Sequence, residues 1–423
     1  MIKYFLILLI YFPLNAQLRL QDCYNEAITK CPLARNIALN YKSSNLTISN
    51  LDKVYYPEIS LSGQLQWQNE VTKINLPLNI PGFKMPEISK DQYKLVLNVN
   101  QLVWDGGMSS ALKSLESTGS ELENQNLKVE LYKLKQRINE AFFGIVLIKS
   151  KLRILDISKI ELEQKLKILN FRIESGLILG SNADILKAEI LKLDQNIEEL
   201  SSGIETAYQA IELLIERKLN RNDSLIFPEI DIKAAINERL RSLRPEYELF
   251  KLSHNNLELN NDRINAKNLP KFSAYAQAGY GKPGLNFLDP DFKPLFLIGL
   301  RGNWNIYDWG IANHEHEIIK IKQELLLNQE ESFTKNLEIS LTKYKSDLSK
   351  LESLIQKDKE IVNLRKNIAS TAYFQLENGI ITATDYLSEF NSNSTAEIIA
   401  ESRKVELSFA KISILTVLNY DFK

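Results

Sequence analysis

Four stretches of the chain alternate apolar and polar residues with a period of two, and each predicts a β-strand with one apolar and one polar face. Over about 57–68, Ile59, Leu61, Leu65 and Trp67 share one face, and Ser60, Ser62, Gln64 and Gln66 share the other. Over about 92–104, Tyr93, Leu95, Leu97 and Val99 oppose Lys94, Asn98 and Asn100. Over about 270–281, Phe272, Ala274, Ala276, Ala278 and Tyr280 oppose Ser273, Tyr275 and Gln277. Over about 295–307, Phe296, Ile298, Leu300, Trp304 and Ile306 oppose Arg301, Asn303 and Asn305. Two environments suit such faces: a half-buried sheet with water on its polar side, or a membrane sheet with lipid on one side and a wet lumen on the other. Aromatic residues near the strand ends (Trp67, Tyr93, Tyr280, Trp304, Tyr307) suit membrane interfaces.

The remaining pattern is helical and unusually long. Between Gly107 and Gly176 there is no proline, and Gly119 and Gly144 are the internal glycines. Leu131, Leu134, Ile138, Ala141, Phe142 and Ile145 recur at helical spacing, as do Leu152, Leu155, Leu162, Leu166 and Leu169. The stretch from Gly310 to Gly379 has neither residue in its interior. Helices are therefore expected over about 107–177, 182–219, 310–378 and 382–420. A helix of about 70 residues reaches about 105 Å, against about 12 residues for an ordinary globular helix. Such helices must pack on one another as coiled coils or a helical tube, with Glu121, Glu123, Lys128, Glu130 and Lys133 in water. A soluble coiled-coil filament is the alternative.

The two halves repeat. Tyr56-Pro57-Glu58-Ile59-Ser60 answers to Leu269-Pro270-Lys271-Phe272-Ser273, and Pro32 to Pro245, each 213 positions apart. Trp104-Asp105-Gly106-Gly107 answers to Tyr307-Asp308-Trp309-Gly310, 203 apart. Phe171-Arg172-Ile173-Glu174-Ser175-Gly176 answers to Phe374-Gln375-Leu376-Glu377-Asn378-Gly379 at the same separation. This divides the chain into a first repeat, 18–227, and a second, 228–423, with Pro228 at the seam. Ahead of them, 1–17 reads as a secretory signal: Lys3, an apolar run from Tyr4 to Phe12, and Ala16 near the cut.

Composition narrows the function. The net charge is −1 and no basic stripe stands out, so nucleic acid is an unsuitable partner. No nucleophile, base and orienting group cluster together, so no enzyme is expected, and no cofactor is implied. His314 and His316 lie two apart on a helix and face different directions, which does not suit a metal. Gly279-Tyr280-Gly281-Lys282-Pro283-Gly284 lacks the following helix that a phosphate loop needs and reads as a loop. Cys23 and Cys31 would lie about 12 Å apart on one helix, too far for a disulfide, unless a break before Pro32 brings them together.

Four strands cannot close a barrel, and an open sheet leaves bare edges that a membrane forbids. Two chains would supply eight strands and a plugged bore; three would supply twelve and an open one.

The duplicated unit, Leu20-Gln21-Asp22-Cys23, Arg244-Pro245-Glu246, Gln101-Leu102-Val103-Trp104-Asp105-Gly106-Gly107, and Phe374 with Gly379 and Asp385 together resemble the TolC family of outer-membrane efflux proteins. The resemblance implies a mostly α protein with a membrane β-barrel: a homotrimer with a 12-stranded barrel and a periplasmic helical tunnel. It implies an outer-membrane exit duct that docks to a periplasmic adaptor and an inner-membrane transporter; a non-conducting cell-envelope scaffold is the alternative. It also places a periplasmic gate near Asp184 and Asp385, carboxylates that follow the turns in both copies. Leu376 and Ile381 stand where a tyrosine and an arginine help lock the family's entrance, and Ser388 where an acid is frequent, so a gate held by packing is expected. Gly176, Leu177, Gly379 and Ile380 would form the tips that an adaptor clasps.

Overall fold

The computed structural model describes residues 17–72, 89–175, 179–228, 232 and 244–420, so most of the expected leader lies outside the described residues. The elements run β1 (Gln17–Arg19), α1 (Leu20–Lys30), α2 (Pro32–Lys53), β2 (Glu58–Trp67), β3 (Asp91–Trp104), α3 (Met108–Glu174), α4 (Ser181–Ile215) and β4 (Ser224–Ile226). They continue with α5 (Pro245–Lys267), β5 (Lys271–Lys282), β6 (Lys293–Asn303), α6 (Ile311–Glu377) and α7 (Ala383–Leu418). Both α3 and α6 have 67 residues, about 100 Å at the ordinary helical rise. The chain forms two compact units, one of residues 1–37, 125–248 and 330–423, the other of 38–124 and 249–329.

The second unit holds a four-stranded sheet in the order β2-β3-β5-β6, antiparallel throughout. Its helical segments follow the same order. Asn40 and Ser44 of α2 hydrogen-bond Asn124 Oδ1 and the Glu116 carbonyl of α3. Gly119 of α3 approaches Asn256 of α5, and α5 meets α6 through Lys267–Glu315 (2.8 Å) and Asn261–His316 (2.8 Å). The expected loop at 279–284 begins later than its glycines suggested, because β5 continues to Lys282. Gly279 is required there by close approach: a Cβ would sit 2.3 Å from the Leu95 carbonyl oxygen. The fourth strand ends at Asn303, short of the expected 307; Trp304 and Ile306 continue its alternation but pair with no strand among the described residues.

Each long helix starts on the duplicated aspartate. Asp105 accepts from Gly107 N (2.9 Å), Ser109 N (2.7 Å), the Ser109 hydroxyl and the Tyr55 hydroxyl (2.8 Å). Asp308 accepts from Gly310 N (3.0 Å) and Ala312 N (2.9 Å). These bonds satisfy first-turn N–H groups that a helix cannot pair internally. Burial raises the Asp105 pKa, but the hydrogen bonds from Ser109, Tyr55 and Gly107 outweigh it and hold the group below the ordinary carboxylate value. Gly106 has φ +73, and a Cβ would lie 2.7 Å from Leu269 Cβ; at the corresponding place Trp309, with φ +59, is 82% exposed and has room.

The first unit is built on helix packing. One cluster joins Leu20, Tyr24, Ile138, Phe142, Tyr208, Ile211 and Leu415. The Tyr24 hydroxyl donates to Asn139, satisfying a buried polar group. β1 and β4 pair in parallel there, a ladder too short for the alternation pattern to announce. In the last turn of α4, Glu212 accepts from Arg221 Nη1 (2.6 Å) and Leu219 N (2.8 Å), which hold its carboxyl down to about 2. The break before Pro32 exists, yet Cys23 and Cys31 are both free thiols; Cys23 is fully buried, and that burial pushes its pKa up to about 12.

Candidate functional site

The sheet has one predominantly apolar face, and its opposite face is polar except where Val96, Leu295 and Leu297 interrupt it. Leu61 pairs with Leu97, Leu97 with Ala278, and Ala278 with Phe296, while the next row runs Ile59, Val99, Ala276, Ile298. All of these side chains project from one face, because residues paired across a ladder share a face. That face is uncovered: Leu61 is 67% exposed, Ile298 73% and Leu300 84%. Ile59, Leu65, Leu95, Leu97 and Phe296 are exposed with them. Burying a leucine, isoleucine or phenylalanine fully is worth roughly 1.5–3 kcal/mol, so eight such side chains are left without their main source of stability. A sheet in water packs its apolar face on a core. This one presents it outward.

The opposite face is hydrogen-bonded across the strands. Asn98 Nδ2 donates to the Ser62 hydroxyl (2.9 Å) and Gln277 Nε2 donates to Asn98 Oδ1 (2.8 Å), while along β2 Gln64 Nε2 donates to Gln66 Oε1 (2.7 Å). The two outer strands, β2 and β6, each leave one edge unpaired within the chain. The outer helical segments match them. Leu39 and Leu46 of α2 are seven apart and exposed, and so are Ile311, Ile318 and Leu325 of α6. Seven-residue apolar spacing is a coiled-coil seam that awaits a partner.

The second candidate region is the helical tip of the first unit. α6 ends in a Schellman turn: Ile380 N donates to the Gln375 carbonyl (2.8 Å), Gly379 N donates to the Leu376 carbonyl (2.9 Å), and Gly379 has φ +68. Ile380 is 70% exposed beyond it. Thr382 then caps α7, accepting from Asp385 N (3.2 Å), while Asp385 Oδ2 accepts from Thr382 N (3.0 Å) and the Thr382 hydroxyl (2.7 Å). Hydrogen bonds from the Thr382 side chain and then its backbone hold Asp385 below the ordinary carboxylate range.

The tip brings some of the expected site residues together and separates others. Asp385 and Ile381 line one groove of about 560 Å³ between α6 and α7, with Thr371, Gln375, Ser388 and Glu389. Leu376 is elsewhere, in the core with Leu169, Leu186, Tyr373, Tyr386 and Phe390. Asp184 is not the equivalent of Asp385. It lies at the fourth residue of α4, after an N-cap glycine, whereas Asp385 is the third residue of α7 after a threonine. One residue of offset turns a side chain by about 100°. Asp184 instead pairs with Lys187 (3.1 Å) and is exposed. Gly176 and Leu177 lie outside the described residues. The residue pair that sequence reading missed is Arg172 and Glu377. Arg172 Nη2 bonds Glu377 Oε1 (2.7 Å) and Nη1 bonds the Glu377 carbonyl (2.6 Å), tying together the ends of α3 and α6. Both belong to the repeated Phe171–Glu174 and Phe374–Glu377 turns, which was the available signal.

No helix among the described residues is long and apolar enough to cross a membrane. A scan against protein-family models finds no match, and a search of curated proteins finds none either. Solved structures are similar over nearly the whole chain. CusC, described for its transmembrane channel formation, aligns with a TM-score of 0.71 at 13% identity, over 94% of this chain and 91% of that one. VceC, an outer-membrane protein of Vibrio cholerae, aligns at 0.66 and 15% identity, over 96% and 97%. The CmeC outer-membrane channel of Campylobacter jejuni aligns at 0.67 and 13% identity, over 94% and 85%. At these identities the likeness establishes the fold.

Proposed function

We propose that this chain, whose fold is that of the TolC-family outer-membrane channels, is one third of a trimeric export duct in the outer membrane. The observation that carries the reading is the sheet with an uncovered apolar face, a hydrogen-bonded polar face and two open edges. Lipid is the solvent that suits the apolar face, and a membrane excludes unpaired edges. An edge β2 of one copy meeting β6 of the next removes both, and three copies give twelve strands around a water-filled bore. The exposed seams on α2 and α6, the outer helices of the same unit, support the same neighbour. A non-conducting scaffold has no use for a polar face that spans all four strands.

Within this reading the helical tip is the periplasmic entrance. Asp385, repeated three times about the axis, forms an acidic ring that attracts cations and resists simultaneous ionisation. Asp184 adds charge from a different angular position. Ile381 lines the groove beside Asp385, and Leu376 holds the tip from within its core, so closure rests on packing with the Arg172–Glu377 bridge beneath it. Gly379 and the exposed Ile380 form an apolar tip that docks a periplasmic adaptor serving an inner-membrane transporter; Gly176 and Leu177, their counterparts in the first copy, lie outside the described residues.

The experiment is reconstitution of the purified full-length protein in a planar bilayer, without nucleotide or proton gradient. Discrete ohmic conductance steps are expected. A protein that inserts as trimers and passes no current would leave the scaffold reading in its place.

A further inference from the structure

We infer that the polar face of the sheet is a cationic lining that favours organic anions carrying a carboxylate, sulfonate or phosphate. The inference rests on the duct reading, which makes this face the lumen. Across the sheet, Gln64 pairs with Lys94, Lys94 with Gly281, and Gly281 with Lys293; Ser273 pairs with Arg301 and Lys271 with Asn303. Residues paired in this way share a face, so Lys94, Lys271, Lys293 and Arg301 lie on the polar one with a single facing carboxylate, Glu58. Lys293 is paired with Asp289 (3.4 Å). Lys94, Lys271 and Arg301 have no ion pair among the described residues, and all three are exposed. The other carboxylate on these strands, Asp91, has the opposite parity and is held by Lys282 (3.0 Å).

Two of the cations are seated by glycines. The Arg301 guanidinium lies 5.1 Å from the centroid of the Tyr275 ring. That ring in turn covers Gly299, where a Cβ would lie 2.6 Å from the phenol oxygen. A larger residue at 299 would lift the ring and the guanidinium with it. Lys94 lies against Gly281, where a Cβ would be 3.0 Å from Lys94 Cγ. Stacking leaves the guanidinium edge, with its fork of donors, available for a two-pronged contact with an anion. Threefold repetition around a bore with low-dielectric walls concentrates the field. The sheet therefore opposes in sign the acidic entrance, so a cargo that carries both charges finds a complementary surface on each.

The test measures local potential at Ser273, which faces Arg301 across the ladder, in full-length Ser273→Cys protein reconstituted in lipid vesicles. Cys31 is replaced by serine, and Cys23 is buried. The rates of modification by an anionic sulfonatoethyl thiosulfonate and a cationic trimethylammonioethyl thiosulfonate are compared, each relative to a free thiol. The anionic reagent is expected to be favoured by about threefold or more at low salt, as potentials of a few kT imply, with the ratio falling as salt rises. Lys271→Gln with Arg301→Gln, which removes the two cations nearest Ser273 on that face, should abolish the preference, whereas Arg301→Lys, which keeps the charge, should retain it. Labelling by both reagents without a charge preference, or a preference that survives the double replacement, overturns the inference and leaves the duct intact. Failure of both reagents to label Ser273→Cys in a folded trimer denies a wet lumen, and the duct reading falls with the inference.

Discussion

Leu61→Lys, set against its neighbour Ser62→Lys, separates a membrane sheet from a sheet in water. Leu61 sits mid-strand in β2, in the row Leu61, Leu97, Ala278, Phe296 on the apolar face. Were that face in water, a lysine at a position already 67% exposed would change stability by about 0.5 kcal/mol or less. Facing lipid near the bilayer midplane, it should cost about 2–4 kcal/mol. Ser62 points the other way, and its hydroxyl accepts from Asn98 Nδ2 at 2.9 Å. Losing that bond costs about 1 kcal/mol, and the new ammonium reaches water in the lumen. The two variants should then differ by about 1–3 kcal/mol, a factor of roughly 5–150 in the folded ratio. The assay is urea unfolding in phospholipid vesicles, followed by tryptophan fluorescence. Equal costs, or a larger cost at Ser62, would refute the assignment of faces, since a one-residue slip of register exchanges them.

Two further outcomes follow from the helix starts and the tip. Asp105→Ala removes a buried cap and the partner of the Tyr55 hydroxyl, and should cost about 2–3 kcal/mol, more than Asp308→Ala, whose carboxylate has fewer partners. Because the folded Asp105 pKa lies below the ordinary carboxylate value, its contribution is complete above that ordinary value and is lost as pH falls through the lower folded one. Acid unfolding monitored by circular dichroism should therefore be flatter in Asp105→Asn, and an unchanged acid limb would count against the cap. At the entrance, Asp385→Ala should reduce cation selectivity in reversal-potential measurements, whereas Thr382→Ala, which loses the cap but keeps the charge, should preserve it. Equal behaviour of the two variants would make Asp385 a helix cap alone.

The parts of the fold that repeat were legible in the sequence, because repetition removes ambiguity from weak local signals. Alternation located the four strands, and scarcity of glycine and proline located α3 and α6 within a few residues. Trp104-Asp105-Gly106-Gly107 and Tyr307-Asp308-Trp309-Gly310 marked the helix starts, where backbone geometry demands a capping carboxylate and positive φ. The parallel β1–β4 ladder escaped, since three residues carry no period and their pairing spans the chain from Gln17 to Ser224. The site was less legible than the fold. A carboxylate after a glycine turn looked alike in both copies, but the one-residue difference between Asp184 and Asp385 depends on where each helix nucleates, and that follows from Thr382 as cap against Gly180. The Arg172–Glu377 bridge joins ends of two helices that only tertiary structure brings together.

Subunit count tests the central claim most directly. On the duct reading, a ring of chains closes the open edges of β2 and β6, and an open bore needs more than eight strands. Native mass spectrometry of the detergent-solubilised protein should give a single species near three times the chain mass, which is 48.6 kDa for the full sequence. A stable monomer or dimer that still conducts in bilayers would contradict the account, because neither offers both closed edges and an open bore.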